Sequence, residues 1–329
     1  MNKPKISVLG LGHLGKIHLK LLLNQRNVRC SGVFDTNNAR CEAIRERYNV
    51  HVFNSEEDLI KASDAIILVT PTPSHYSIAK QCLLHSKHVF IEKPLCSNLE
   101  EALELKNLSD IHKCIVQIGH VERFNPAFQA AQAQPIDPMF IECHRLAPFN
   151  PRGTDVSVVM DLMIHDLDLI LSLVKAKVEK IDATGVSIVS AAPDIANVRL
   201  TFSNGCVVNC TASRVSMKAM RKMRVFQNQN YLSMDFIDKS TERIQLHDTN
   251  PVHCKSTPIE IEGHQFKKYL EYEKSEPSDN NAIMEEQANF IEAIITGTSV
   301  LVPIEDGIRC LDLALQIDEC IQEYQKHYQ

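Results

Sequence analysis

The sequence predicts a two-domain α/β protein: an N-terminal parallel sheet with helices on both faces, then an α+β domain built on a large, open, mostly antiparallel sheet. Three observations lead there. From residue 5 to about residue 121, short apolar runs alternate with segments of helical character, the pattern of repeated β-α units. Beyond that point the alternation gives way to long β-rich runs, with Asn204-Gly205 between two of them as a hairpin signal. The length, 329 residues at 44% hydrophobic composition, suits two cores better than one. The expected domains are therefore 1–121 and 122–329.

Residues 5–9 form a buried-strand run that ends in Gly10-Leu11-Gly12-His13-Leu14-Gly15, and 16–23 then reads as a helix. Bare glycines between a strand and a helix let the backbone approach a pyrophosphate at the helix N-terminus. Alone the pattern is weak, but here its setting is complete. A second strand, 28–34, ends in Asp35, twenty residues after Gly15, where a carboxylate would accept hydrogen bonds from the adenosine ribose hydroxyls. An acid there repels a 2′-phosphate, and Thr36-Asn37-Asn38 supplies no adjacent cation, which favours NAD over NADP. Arg40 is the residue that could reach round to such a phosphate.

The alternation continues with strands at 65–69, 88–91 and 114–118, and with helices opened by capping residues at Ser55 and Asn98. In sheets of this kind ligands sit beyond the carboxyl ends of the strands. The glycine turn, Asp35, the loop Thr70-Pro71-Thr72-Pro73-Ser74-His75 and Glu92-Lys93-Pro94 all fall on that edge. Pro94 pushes Lys93 out of the helical region and presents it from an extended turn. A solvated loop lysine is the ordinary alternative, and the position at a strand's end favours a site.

In the second half, 139–146 reads as a strand and 159–171 as a helix. In an ideal helix Asp161, His165 and Asp168 stand at i, i+4 and i+7 and line one stripe of an otherwise apolar element. A histidine with carboxylates on its face can be held in one tautomer, as a general base requires. The alternative is the wet face of an amphipathic helix. Strand-like runs follow at 178–189, 196–202, 206–213, 221–227 and 231–237, then a polar connection over 273–281. Two helices, 282–295 and 305–324, close the chain and are expected to return in part to the first domain.

A net charge of −6 gives no general footprint for nucleic acid or an anionic membrane. No apolar run approaches the roughly 20 residues of a membrane span, and no signal-peptide pattern precedes the first strand, so a soluble cytoplasmic protein is expected. The eleven cysteines are scattered, odd in number and without a Cys-x-x-Cys pair, as suits reduced thiols packed as small apolar residues. Cys206 and Cys210 lack a histidine at finger-like spacing, and no metal is expected.

Five motifs in order carry a resemblance: Gly10-x-Gly12-x-x-Gly15, Thr70-Pro71 with His75, Glu92-Lys93-Pro94, Arg123-Phe124-Asn125-Pro126 and Asp161-x-x-x-His165-x-x-Asp168. Over essentially the whole chain they resemble the Gfo/Idh/MocA family of nicotinamide-dependent sugar and cyclitol oxidoreductases. The resemblance implies a Rossmann domain that holds NAD through Gly10, Gly12, His13, Leu14, Gly15, Asp35, Thr70, Pro71, His75, Glu92 and Lys93. It implies that Lys93 and His165 flank the reacting carbinol with Asp161 nearby, and that the open sheet packs into a homodimer or homotetramer. Many members carry glycine between that aspartate and histidine, whereas this chain has Leu162-Met163-Ile164, so the pocket above the helix would be shaped differently.

Within the family, residues 119–126 and 161–168 look most like the UDP-N-acetylglucosamine 3-dehydrogenases. Those enzymes oxidise the sugar 3-hydroxyl so that an aminotransferase can install a 3-amino group, as in precursors of lipid A or surface polysaccharides. A nucleotide sugar needs cations for its diphosphate, preferably arginine forks. Arg214, Lys218, Arg221, Lys222 and Arg224 cluster after a strand, and Arg152 lies in a loop before the helix. Of these, Arg152, Arg214, Lys218 and Arg221, with Arg123, Asn125, Asp161, His165 and Asp168, make the expected substrate set, although a solvated basic hairpin reads the cluster equally well.

The implied chemistry is hydride transfer to the nicotinamide. His165 takes the hydroxyl proton, oriented by Asp161 or Asp168, and Lys93 donates to the same oxygen. The rivals are a dehydrogenase of a free sugar or inositol, a non-catalytic NAD-binding regulator on the same scaffold, and a nucleic-acid or structural protein. Intact Lys93, Asp161 and His165 speak against the regulator, and the acidic balance against nucleic acid.

Overall fold

A computed structural model describes residues 3–150, 156–252, 254, 256–276 and 278–328. The chain forms two compact units, with boundaries after Val121, Asn280 and Asp312. Residues 281–312 belong with the first unit and 313–329 with the second, so the second domain is not the unbroken stretch 122–329.

The first unit runs β1 (Lys5–Leu9), α1 (His13–Asn24), β2 (Arg29–Phe34), α2 (Asn38–Tyr48), α3 (Glu56–Ala62), β3 (Ala65–Leu68), α4 (His75–Leu84), β4 (His88–Glu92), α5 (Leu99–His112) and β5 (Val116–Gly119). Its sheet has the order β2-β1-β3-β4-β5, every neighbour parallel. Helices on both faces explain why β3, Ala-Ile-Ile-Leu, is apolar and buried at every position. The caps work as the sequence suggests: Ser55 accepts the Asp58 N–H, and Asn98 accepts the Glu101 N–H at 2.9 Å. The Glu101 carboxylate returns to the N–H of Ser97 rather than to that of Asn98. α2 buries only Cys41 and Ile44, too little to show as an apolar stripe in the sequence.

The second unit holds α6 (Pro126–Ala131), β6 (Phe140–Leu146), a π-helical turn (Val159–Met163), α7 (Ile164–Leu173), β7 (Val178–Val186), β8 (Ile195–Phe202), β9 (Val207–Ser213), β10 (Met220–Gln227), β11 (Asn230–Asp235), β12 (Ser240–His247), β13 (Ile259–Gly263) and β14 (Phe266–Lys274). Nine strands lie in the order β13-β14-β12-β11-β10-β6-β9-β8-β7, antiparallel except where β6 meets β9. Alternation is clean: Ile141, Cys143 and Arg145 of β6 are buried, while Phe140, Glu142, His144 and Leu146 face the other way, half-exposed. β12, β13 and β14 escape a reading by apolar runs because charged residues interrupt them, as in Phe-Lys-Lys-Tyr-Leu-Glu-Tyr-Glu-Lys.

Two helices close the chain, α8 (Ala282–Thr296) and α9 (Ile304–Tyr328). α8 returns to the first unit, where the Phe290 ring meets Phe90 edge-on at 6.0 Å. In α9, Ile317 and Ile321 are buried within the second unit. No helix among the described residues is long and apolar enough to cross a membrane.

Candidate active site

A cavity of about 680 Å³ opens over the carboxyl ends of the first unit's sheet, where β1 and β3 lie side by side and their connections leave in opposite directions. Gly10, Gly12, His13, Leu14, Asp35, Thr70, Pro71, Glu92 and Lys93 line it, as the sequence places them. Gly10 has φ +98°, and a Cβ on it would lie 2.4 Å from the Val69 carbonyl oxygen. Gly15 lies outside the lining; a Cβ there would reach within 1.9 Å of the Gly10 oxygen, so this glycine lets α1 pack against the turn. At Gly12 the space of a Cβ is empty to 4 Å, at the start of a helix with no capping side chain and no acid in its first turn. These residues fit a dinucleotide: the uncapped, acid-free start of α1 borders the cavity, where a pyrophosphate needs N–H donors.

Asp35 does more than face that cavity. Its carboxylate accepts the Leu11 N–H at 2.7 Å and the Asn37 N–H at 2.8 Å, which ties the end of β2 to the glycine turn. Arg40, the cation the sequence puts within reach of a 2′-phosphate, lines the same cavity and lies 3.4 Å from this carboxylate. Ser74, Ser77 and Ile78 line the cavity as well. Ser74 belongs to the loop the sequence places on this edge; Ser77 and Ile78 are not singled out there, yet the i, i+3, i+4 spacing marks one face of the start of α4.

His75 departs from its expected role. It is buried, absent from the lining, and its ring nitrogens stand 2.8 Å from the Thr70 carbonyl oxygen and 3.0 Å from that of Pro94. Burial pulls its pKa down against those two contacts. The ring braces the Thr70 loop against the lysine turn. Glu92 is half-buried beneath that turn and accepts a hydrogen bond from His18 at 2.8 Å. Burial works to raise the Glu92 pKa; the His18 hydrogen bond and the Lys93 charge outweigh it and hold the carboxyl below its ordinary range.

In the second unit the predicted stripe is broken. The π-helical turn carries more residues per turn than an α-helix, so a spacing of i, i+4, i+7 no longer lies on one face. Between Val159 and Asp168 the partly exposed residues are Met160, Asp161, Leu162 and His165. Asp161 and His165 thus share the open side, and Asp168 does not. Asp168 is 1% exposed, and both its oxygens accept from Arg123, at 2.7 and 3.0 Å. Asn125 is also buried, donating to Glu122 and to the Phe236 carbonyl. Arg123, Asn125 and Asp168, expected at the substrate, therefore stand in an interior network.

That network has a centre that sequence reading missed. Arg145 forks onto Asp166 with two 2.9 Å bonds and reaches Glu122 at 2.9 Å. Burial pushes the Asp166 pKa up although the guanidinium opposes it. Glu122, Arg145 and Asp166 lie more than twenty residues apart from one another in the sequence, and only the fold pairs them.

The basic cluster is divided in the same way. Arg214 is buried, donating to the Val156 and Pro193 carbonyls, with its Nε 3.8 Å from Asp194. Burial works to raise the Asp194 pKa, but the Ser190 hydroxyl and the N–H groups of Ile188, Val189 and Ser190 hold it well below the usual carboxylate range. Lys222 pairs with Asp235 at 3.1 Å and Arg224 with Glu142 at 2.9 Å, on the open face of the sheet. Arg221 points to the opposite face, 51% exposed and 3.9 Å from Glu122, and Lys218 is exposed. Of the set, Arg221 and Lys218 are exposed, Lys222 and Arg224 are part-exposed and paired on the other face, and Arg152 lies outside the described residues.

Comparison with known proteins agrees with this geometry. Residues 5–120 match the model of the Gfo/Idh/MocA oxidoreductase family with its NAD-binding Rossmann fold, and residues 118–231 match a C-terminal domain of the same family. UDP-N-acetylglucosamine 3-dehydrogenase of Acidithiobacillus ferrooxidans is 33% identical over 97% of this chain and 98% of its own. Its solved structure superposes with a TM-score of 0.86, covering 98% of this chain and 99% of that one. Inositol 2-dehydrogenase of Rhizobium meliloti is 25% identical over 94% of both chains. A scyllo-inositol dehydrogenase from Lactobacillus casei shares the fold, with a TM-score of 0.77 at 19% identity over 98% of each chain. The chain belongs to the Gfo/Idh/MocA family and is an NAD-dependent oxidoreductase.

Proposed function

We propose that this enzyme oxidises the 3-hydroxyl of a UDP-N-acetyl hexosamine, UDP-N-acetylglucosamine in the first instance, to the 3-keto sugar. The observation that carries the reading is likeness to a UDP-N-acetylglucosamine 3-dehydrogenase along nearly the full length of both chains, both domains included. Hydride acceptance is the chemistry that bound NAD supplies. Lys93, at the rim of the dinucleotide cavity, donates to the hydroxyl oxygen and stabilises its developing charge. His165 takes the hydroxyl proton, and Asp161 rather than Asp168 orients it, because Asp168 is committed to Arg123. Arg221 and Lys218 meet the diphosphate. An aminotransferase would consume the 3-keto product, and the setting is cytoplasmic.

A second reading, oxidation of a free sugar or inositol, draws support from the burial of Arg214, which thins the cationic set a diphosphate needs. The test is a coupled assay with NAD and UDP-N-acetylglucosamine, with and without a 3-keto-sugar aminotransferase and glutamate. NADH and the mass of an amino-sugar nucleotide should appear together. Arg221→Ala should then raise KM about tenfold, the loss of roughly one charge-assisted hydrogen bond. If inositol or a free hexose reduces NAD while the nucleotide sugar does not, the second reading replaces the first. The open face of the nine-stranded sheet further supports a homodimer or homotetramer: Val207, Phe140, Phe226, Tyr231, Ile244 and Tyr272 follow one another in register across six strands.

A further inference from the structure

The buried side of the Glu92-Lys93-Pro94 turn holds a hydrogen-bond chain that the chemistry above does not use. His18, three residues beyond Gly15 in α1, is fully buried, its ring tilted against Phe90. Its Nε2 lies 2.8 Å from Glu92 Oε1, and its Nδ1 2.8 Å from Gln287 Nε2. The same amide nitrogen also donates to the His18 carbonyl at 3.0 Å. The amide is thus the donor to Nδ1, which leaves the ring hydrogen on Nε2, given to Glu92. The other Glu92 oxygen accepts the Lys93 backbone N–H at 3.2 Å. Gly119 closes the far side, where a Cβ would lie 2.9 Å from Glu92 Oε2. Segments as far apart as 269 residues thus converge on one carboxylate, which holds the backbone N–H of Lys93 and feels the charge of its side chain.

We propose that His18, Gln287 and Gly119 clamp the Glu92 carboxylate against Lys93 so that the lysine enters the reaction as an ammonium donor, which makes His18 and Gln287 positioning residues. The inference rests on the reading of Lys93 as the donor to the sugar oxygen. A fixed negative charge beside an amine favours its charged form, and the charged form is the one that can donate to a developing alkoxide. A carboxylate left to swing would neither hold that charge in place nor hold the backbone N–H that sets the turn. Displacement of a reacting group by about 1 Å costs on the order of 10²-fold in rate.

The test labels the enzyme with trinitrobenzenesulfonate at one neutral pH and reads Lys93 against the exposed Lys20 by peptide mass. Only the free amine reacts, so Lys93 labelling should rise about three- to tenfold in Glu92→Gln and His18→Ala. His18→Gln, which keeps an N–H of similar reach, should bring it back towards wild type. In the sugar assay the first two variants should lose about 10–100-fold in kcat, with KM for the sugar held within about twofold. Unchanged labelling in both variants overturns the clamp. Where His18→Ala fails to fold, Glu92→Gln, equal in shape, carries the test. Labelling needs no sugar, so a response to the variants in an enzyme that oxidises no nucleotide sugar upholds the clamp and removes the substrate reading instead.

Discussion

Asp35 shows how one side chain can serve both fold and ligand. The family pattern marks it as the ribose acceptor, yet here it also accepts two backbone N–H groups of the turns beside it. Asp35→Ala should therefore act twice. Leaving the Leu11 N–H without an acceptor costs about 1–3 kcal/mol, visible as a lower urea midpoint. NADH binding, followed by fluorescence, should weaken about tenfold or more, with a smaller preference over NADPH. A variant that keeps the wild-type cofactor ratio would move the choice of cofactor away from this residue. His75 teaches the reverse: the residue type and place suit a cofactor contact, and two carbonyl oxygens claim the ring instead.

At the scale of elements, the segment from Val159 to Leu173 carries the second half of the chemistry, and its π-helical turn decides which side chains are open. Breaking a buried ion pair from one side costs about 3–5 kcal/mol, so Asp168→Asn should lower stability by that order and leave NADH binding unchanged. Wild-type stability with a raised sugar KM would instead return Asp168 to the substrate. The start of the segment hangs on Ser157, whose hydroxyl accepts the Met160 N–H and donates to Asp318 of α9 at 2.7 Å. Burial pushes the Asp318 pKa up to about 6, with the Ser157 bond opposing. The folded state then holds this proton where the unfolded state has lost it, so the group's contribution is full below about pH 4 and falls away as pH rises through 6. Asp318→Asn keeps an acceptor for Ser157 and removes the loss. Urea unfolding should show it more stable than wild type by on the order of 1–2 kcal/mol at pH 7.5 and no more stable at pH 4; equal pH profiles would refute this.

At the scale of the whole molecule, the nine-stranded sheet leaves an apolar row across six strands, with Phe226 39% and Tyr272 41% exposed. Rows of this kind mark interaction surfaces in soluble proteins. Light scattering on the eluted enzyme should give a dimer or tetramer, and Phe226→Lys, on the open face, should shift it towards monomer while NADH binding persists. An unaltered assembly would place the interface elsewhere. The chain's last stretch is shared between the units: α8 places Phe290 against Phe90 and Gln287 against His18 in the first, while Asp318 serves the second.

Local signals were enough for the Rossmann half. Glycines, an acid at a strand end, alternating buried runs and capping residues each act within a few residues, and chain order places them at one sheet edge. Lys93 and the part of the cavity lining that comes from strand ends were legible for the same reason; Ser77 and Ile78 of α4 were not. Pairing across long separations was not. Whether Asp168, Arg214 or Asn125 faces a ligand or an interior partner depends on which guanidinium or carbonyl the fold brings within hydrogen-bond distance, and the sequence shows a polar residue identically in both cases. The π-helical turn is of the same kind: one extra residue in a turn, set by packing in the second unit, reassigns a whole stripe. His18, buried beneath a motif it does not belong to, acquires its meaning from Glu92 and Gln287, which reach it only through tertiary structure.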